Sequence, residues 1–385
     1  LEEIKMLTNY LGIVSLTENE SKLKSLTATR PLASIPIFGR YRVIDFTLSN
    51  LVNAGVTNVG ILAPTKSRSL IDHVGTGKPW DLNRKVDGLY IFNYSYEPPS
   101  ISDIKLLKSN MEFLLRSRKE MTIFTSSHMI CNIDFEDVAK FHEESGADVT
   151  VVYKKIANEN DLFLELPTLM IDQNSNVMGV GKNIGRHTTV NISLDMFVLS
   201  KEFLIDCILT CLENGNCTTF RDFIYKNVQN INLKAYEFKG YVGCINSISS
   251  YFKVSMDMLN VDIQRELFSE ERPIYTKSND SPPTRYFSTC EVENSFISNG
   301  CLIAGKVKNS IISRGVVIEK DAIVENSIIF SKCIIKSGAI LKNVILDKNV
   351  VIDENATLIG HNKNPLVMEK QSFVNLSQLK EVKRV

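Results

Sequence analysis

Two rhythms of apolar and polar residues divide the chain. Up to about residue 250, short apolar runs alternate with amphipathic stretches. LGIVSL at 11–16, VGILAP at 59–64, TIFTSS at 122–127 and DVTVVYK at 148–154 predict strands. FTLSNLVNAG at 46–55 and DFEDVAKFHEESG at 134–146 predict helices between them. In the second helix Phe135, Val138, Ala139, Phe141 and His142 trace one face, and Gly146 is placed to end it. Strand–helix alternation predicts a mostly parallel, Rossmann-like α/β sheet covered by helices, with ligands at the carboxyl ends of its strands. One more helix is expected over 251–268, followed by RPIYTKSNDSPPTRYF, whose three prolines and turn formers read as a linker. The division is therefore 1–268 for the α/β domain, 269–284 for the linker and 285–385 for a second domain.

In that second domain the rhythm changes. Val307, Ile312, Ile318, Val324, Phe330, Ile335, Leu341, Leu346, Ile352 and Leu358 recur at steps of six with three slips to five. A helix would repeat at 3.6 and a strand at 2. A six-residue step suits short parallel strands stacked into a β-helix, three hexads to a coil. Ile328, Ile329, Ile334 and Ile345 sit beside these positions, so each either lines the coil or faces outward. Outward isoleucines would make the domain prone to association.

Composition narrows the function. The chain has 385 residues, 44% hydrophobic and 23% charged, with 44 Lys plus Arg against 44 Asp plus Glu. A neutral chain lacks the field that general nucleic-acid binding needs. No apolar run approaches the ~20 residues that span a bilayer, and LEEIKMLTNYLGIV does not have the form of a secretory signal. The eight cysteines contain no CxxC pair, and the five histidines form no HxH or HExxH. Cys207 and Cys211 fall in the helix-like run EFLIDCILTCLENG, where a buried apolar role is expected. The reading is a cytoplasmic, reduced protein with no metal bound through its thiols, no nucleic-acid partner and no membrane partner.

Three stretches carry a family resemblance: PLASIPIFGRYRVIDFTLSNLVNAGV at 31–56, SLIDHVGTGKPWDLNRK at 69–85, and the hexads. Together they resemble bacterial glucose-1-phosphate adenylyltransferase, or ADP-glucose pyrophosphorylase, over nearly the whole chain. The resemblance implies a nucleotidyltransferase α/β domain followed by a left-handed β-helix. The family's reaction joins ATP to glucose 1-phosphate and releases pyrophosphate and ADP-glucose for glycogen synthesis. In such a reaction cations and magnesium must hold the transferring phosphate, and glycine must let backbone amides approach the triphosphate.

By that resemblance the catalytic groups are missing here. The glycine-rich loop after the first strand corresponds to SLTENESKL at 15–23, which has two glutamates and no glycine. The family's lysine falls on Leu32, the first metal carboxylate on Ser127 and the second on Tyr241. The WYxGTADA segment has no match in 90–115. Of the sugar-phosphate motif only Lys182 remains. No catalytic residue and no cofactor are therefore assigned, and magnesium is expected only in a catalytic partner. The resemblance points to the non-catalytic, regulatory D-type subunit, assembling as a homo-oligomer or with the catalytic subunit, a tetramer by resemblance. Deletion of 285–385 is expected to abolish that assembly and leave the α/β domain folded.

Ser21 to Ile44 holds five cations and no acid: Lys22, Lys24, Arg30, Arg40 and Arg42. In the family, positions matching Arg30 and Arg42 line an effector site for phosphorylated sugars or nucleotides, joined by a β-helix cation for which Lys348 is the nearest match. Arg suits phosphate through its planar fork of donors. The competing reading of Arg42 is a structural pair with Asp45. Two other functions are weighed. An active adenylyltransferase would recruit Asp72, Asp81 or Asp134 as replacement carboxylates. A hexapeptide acyltransferase would need a histidine base, and only His361 is near the coils. The GxxxxGK match at Gly300–Lys306 lacks the following Ser or Thr and is set aside. Trp80, the only tryptophan, is expected to pack or to touch another subunit.

Overall fold

The computed structural model describes residues 7–63, 66–93, 102–157, 161–215 and 217–374. Its first domain is built on a nine-stranded mixed sheet. The centre is parallel, with Met121–Thr125, Tyr10–Ser15, Asn58–Ala63 and Gly88–Asn93 side by side. The inner strands are buried on both faces, which explains their near-continuous apolar runs. Thr189–Ser200 then pairs antiparallel with Met121–Thr125 and with Val149–Ala157. All four predicted strands form, although the end of the run at 59–64 lies outside the described residues. Both predicted helices form as Val43–Asn53 and Phe135–Ser145. The second starts where Asp134 accepts the Glu136 amide at 2.9 Å and stops at Gly146, whose φ of 59° suits glycine.

The last helix of this domain, Val261–Leu267, is followed by irregular chain up to Arg285. There the first of three parallel sheets begins. Through the middle of the domain consecutive coils are offset by 17 residues, as in Lys306 opposite Ile323 and Ile311 opposite Ile328. The domain is a left-handed parallel β-helix of hexapeptide repeats. Nine of the ten expected hexad positions point into its core. The exception is Phe330. Ile329 takes the interior place, and the ring of Phe330 turns outward at the coil corner. With Ile329 in the series, the steps become a regular six, six and five, one coil per 17 residues.

The outward isoleucines have a partner within the chain. Ile311, Ile328 and Ile345 face out from the third sheet and share a core with Leu23, Phe38, Phe46 and Tyr251 of the α/β domain. Tyr251 meets Phe330 edge-on at 6.3 Å and donates its hydroxyl to the Pro36 carbonyl at 2.7 Å. This bears on the deletion of 285–385: removing the β-helix would strip that cover from Phe38, Phe46 and Tyr251 and leave an apolar face of the α/β domain exposed. Ile329 lines the coil, and Ile334 remains on the surface, 37% exposed.

Other expectations are settled by packing. Trp80 is buried, with its indole N–H 3.3 Å from Ser49 Oγ. Cys207 and Cys211 are buried in the core beneath the sheet. Gly305 sits in a tight β-helix corner, where a Cβ would lie 2.4 Å from the Ala322 carbonyl, so the GxxxxGK match is a coil turn. Among the described residues no helix is long and apolar enough to cross a membrane.

Candidate functional site

Two cavities flank the first domain's loops, and their chemistry is opposite. The first lies at the carboxyl ends of the central strands, encloses about 370 Å3 and is lined by Glu18, Lys22, His128, Glu165, Lys182 and Arg221 among others. The loop after the first strand folds into it. Glu18 turns inward and accepts the Ser127 amide at 2.6 Å and the Ser127 hydroxyl at 2.8 Å. Burial works against its charge. The His128 ring, 3.9 Å away, and the Ser127 amide outweigh this and hold the carboxyl below its usual range. Glu20 accepts the Leu32 amide. Burial, reinforced by the charge of Glu18, pushes its carboxyl up to about 7 despite that bond. Glu18 therefore lines the cavity with its carboxylate already bonded to Ser127, while Glu20 is bonded to the amide of Leu32, away from the cavity wall.

The residues present do not fit magnesium. Ser127 offers a hydroxyl already bonded to Glu18. Asp195, which enters from a kink in Thr189–Ser200 with a φ of 52°, pairs with Arg221 at 2.8 Å. Among the described residues no three His, Cys, Asp or Glu side chains converge. Tyr241 does not face this cavity. Its amide bonds Glu266, its hydroxyl lies 3.3 Å from Asp257, and its ring packs against the interdomain core. Cys244 and Asn246 run beside the floor instead, because Gly243–Cys244 pairs with Met129–Ile130, next to His128. Leu32 is buried in the interdomain core. Lys182 does line the cavity, at the end of Val177–Lys182. Residues 94–101, where the sugar-nucleotide segment was sought, lie in part of 90–115 outside the described residues.

The second cavity is larger, about 600 Å3, and lies between the domains. Seven cations line it: Arg40 and Arg42 from the α/β domain, Lys277 from the connecting segment, and Arg314, Lys332, Lys348 and Lys370 from the β-helix. Asp72 is the one acid in its wall, and its backbone carbonyl receives Lys277 Nζ at 2.7 Å. The β-helix cations sit at the same corner of successive coils, between the third sheet and the first. Charge of one sign accumulates there with little compensation. Burial pushes Arg42 down to about 10, with Arg30 and Arg314 adding to the effect against Asp45. Burial together with Arg42 and Arg30 pushes Lys348 down to about 8. Cations that depress one another in this way favour an incoming anion.

The Arg42 guanidinium is not paired with Asp45, which is engaged otherwise. The Asp45 carboxylate accepts the Arg42 backbone amide at 2.9 Å and contacts His73 Nε2 at 2.6 Å, while the Arg42 guanidinium donates to the Ser34 carbonyl. Arg30 differs from the expectation. It does not line the cavity: its guanidinium pairs with Asp347 inside the domain interface and lies 5.6 Å from the Phe330 ring centre. Both partners are almost fully buried. Sequence reading missed Arg314, Lys332 and Lys370. Their signal was present at the coil-corner spacing, on successive turns with Lys348, but it shows only once the coil register is known.

The alternative carboxylates are scattered. Asp72 belongs to the second cavity, Asp81 pairs with Arg84, and Asp134 caps a helix and pairs with Arg272 at 2.9 Å. His361 is exposed in the loop that closes a coil.

A sheet of this order, with ligand cavities at its strand ends and a hexapeptide β-helix packed against it, defines a nucleotidyltransferase-type protein. The nucleotidyl transferase family matches residues 20–162, and the GlmU-like C-terminal hexapeptide family matches residues 282–373. The chain is 33% identical to the glycogen biosynthesis protein GlgD of Bacillus subtilis (strain 168), over 80% of this chain and 81% of that one. It is 35% identical to GlgD of Geobacillus stearothermophilus, over 82% and 83%. Glucose-1-phosphate adenylyltransferase of Lachnospira eligens is 28% identical over 78% and 72%. The chain belongs to the GlgD family, the D-type branch among relatives of glucose-1-phosphate adenylyltransferase.

Proposed function

We propose that this protein is a catalytically impaired regulatory subunit for glycogen synthesis. It assembles with a catalytic glucose-1-phosphate adenylyltransferase, promotes ADP-glucose formation there, and binds a phosphorylated sugar or nucleotide in the cavity between its domains. The observation that carries this reading is the contrast between the cavities: a glutamate on the amide of Ser127 in one, seven cations around a single acid in the other. The names of the relatives, glycogen biosynthesis proteins and adenylyltransferases, support the pathway. Alone, the chain forms a homo-oligomer and needs no magnesium of its own.

The deciding experiment assays ADP-glucose formation by the purified chain alone, by a catalytic relative alone, and by the two mixed. No turnover alone and a raised rate in the mixture are expected. Turnover by the chain alone, abolished by Asp72→Asn, Asp81→Asn or Asp134→Asn, would favour the active-enzyme reading instead. A mixture no faster than the catalytic relative by itself would overturn the regulatory role.

A further inference from the structure

A third cavity lies at the other end of the first domain, where the parallel strands begin. It encloses about 640 Å3 and shares no lining residue with the two cavities above. Asn58 and Asp87 line it from the starts of two strands, the helix Met111–Arg116 from one side, and Ser117, Arg118 and Lys119 from the turn before Met121–Thr125. Part of the wall is aromatic. Tyr90 and Phe92 alternate onto one face of Gly88–Asn93, the edge strand of the sheet, with their rings 9° from parallel. Phe113 of the helix meets both, at 5.0 and 5.1 Å between ring centres. Gly60 on the neighbouring strand makes room for the cluster, since a Cβ there would lie 2.9 Å from Phe113 Cε1 and 3.1 Å from Phe92 Cε2. Phe92 and Phe113 pack against the core, whereas Tyr90 is 43% exposed.

The polar groups of the wall say what the rings would meet. Lys119 pairs with Asp87 at 2.9 Å and Arg116 pairs with Glu112. Four of the five charges therefore cancel, and Arg118 alone has no partner among the described residues. Such a wall does not gather anions as the cavity between the domains does. The groups left over are of both kinds. Asn58 Nδ2 donates to Ser117 Oγ at 3.4 Å, while its Oδ1 is buried and receives no donor. The Tyr90 hydroxyl is unbonded among the described residues, and Arg118 offers donors only. A phosphate, which brings acceptors only, leaves Asn58 Oδ1 unsatisfied, whereas a hydroxyl both donates and accepts. Aromatic faces beside mixed donors and acceptors suit a ring with C–H groups on its faces and hydroxyls around its edge, which is a pyranose.

We propose that this cavity binds a short stretch of α-linked glucan, the neutral chain that glycogen synthesis extends, with one pyranose stacked on Tyr90. The proposal rests on the glycogen pathway of the reading above, and on neither the regulatory role nor the anion cavity. Calorimetry of the full chain with maltoheptaose tests it, together with migration through a native gel containing glycogen. Maltoheptaose should bind, and glycogen should retard the protein. Tyr90→Ala should weaken maltoheptaose binding by roughly three- to tenfold, whereas Tyr90→Phe keeps the ring and should bind like the unsubstituted chain. The melting temperature of both variants should stay unchanged, because Tyr90 is exposed. Failure of both sugars to bind would sink the proposal. Binding that survives Tyr90→Ala would place the glucan elsewhere and remove it from this cavity. Adenosine monophosphate that displaces maltoheptaose and is lost with Arg118→Ala would overturn the choice of a neutral ligand. Phosphate binding and the mixed-enzyme rate are measured separately on the unsubstituted chain, so failure here and failure of the regulatory reading are told apart.

Discussion

The cavity at the strand ends and the cavity between the domains use charge in opposite ways. At the strand ends, Glu18 and Glu20 fold back and accept the amides of Ser127 and Leu32. An anion is already in place there, supplied by the chain. Between the domains, Arg42, Arg314 and Lys348 crowd together, and burial first, with neighbouring cations adding to it, lowers their proton affinity. There seven cations face a single acid. The lesson is that one cavity satisfies its polar groups from within the chain, whereas the other leaves charge of one sign largely unbalanced.

The largest test of this contrast concerns Arg30, which sits behind the open cavity but belongs to the interface. Arg30→Ala leaves Asp347 buried without its partner and should destabilise the protein by about 3–5 kcal/mol, read by chemical denaturation. Joint replacement by Arg30→Met and Asp347→Leu should recover most of that loss, because neither charge is then stranded. If Arg30→Ala proves neutral, the pair is not part of the domain junction.

Next comes Arg42, whose guanidinium faces the cavity. Arg42→Ala should weaken binding of inorganic phosphate or a sugar phosphate by about ten- to a hundred-fold, or roughly 1.5–3 kcal/mol. Calorimetry measures it directly. Unchanged affinity would remove Arg42 from the anion site.

A smaller effect separates the closed cavity from the open one by pH. The unfolded chain ionises Glu20 near 4.5 and the folded protein near 7. Between those values the folded state holds the extra proton, so stability falls as pH rises through the window and stays lower above it. Glu20→Gln keeps an acceptor for the Leu32 amide and should stabilise the protein by about 1–3 kcal/mol at pH 8, with no gain near pH 4. A gain of equal size at both pH values would show that the charge of Glu20 is not the cause.

The smallest expected effect is at Lys348. Its amine ionises near 8 in the free protein. A bound anion favours the protonated form, so phosphate affinity should fall as pH rises through about 8, by roughly threefold to tenfold. Lys348→Met should remove that slope while leaving weaker, flatter binding. A slope that survives the substitution would place the titrating group elsewhere.

Much of this was legible in the residues alone. Apolar runs and amphipathic stretches specify the strands and helices of the first domain, because periodicity 2 and 3.6 are local properties. The hexads specify the β-helix for the same reason. The glutamates at 18 and 20, in a loop without glycine, already argued against a triphosphate. What the residues could not decide was direction. Phe330 satisfies the spacing as well as Ile329, and only the coil register turned it outward toward Tyr251. Arg30 and Arg42 look alike in a basic stretch, yet packing sent one to Asp347 and left the other at the cavity. Tyr241 matched a family position but was drawn to Asp257 and Glu266. The cations from three segments meet only because the β-helix docks through its third sheet, which sets the corner carrying Arg314, Lys332 and Lys348 opposite Arg42. Local pattern determines which elements form; which of their side chains meet, and what each meets, depends on contacts between residues up to 317 positions apart, as in Arg30 with Asp347.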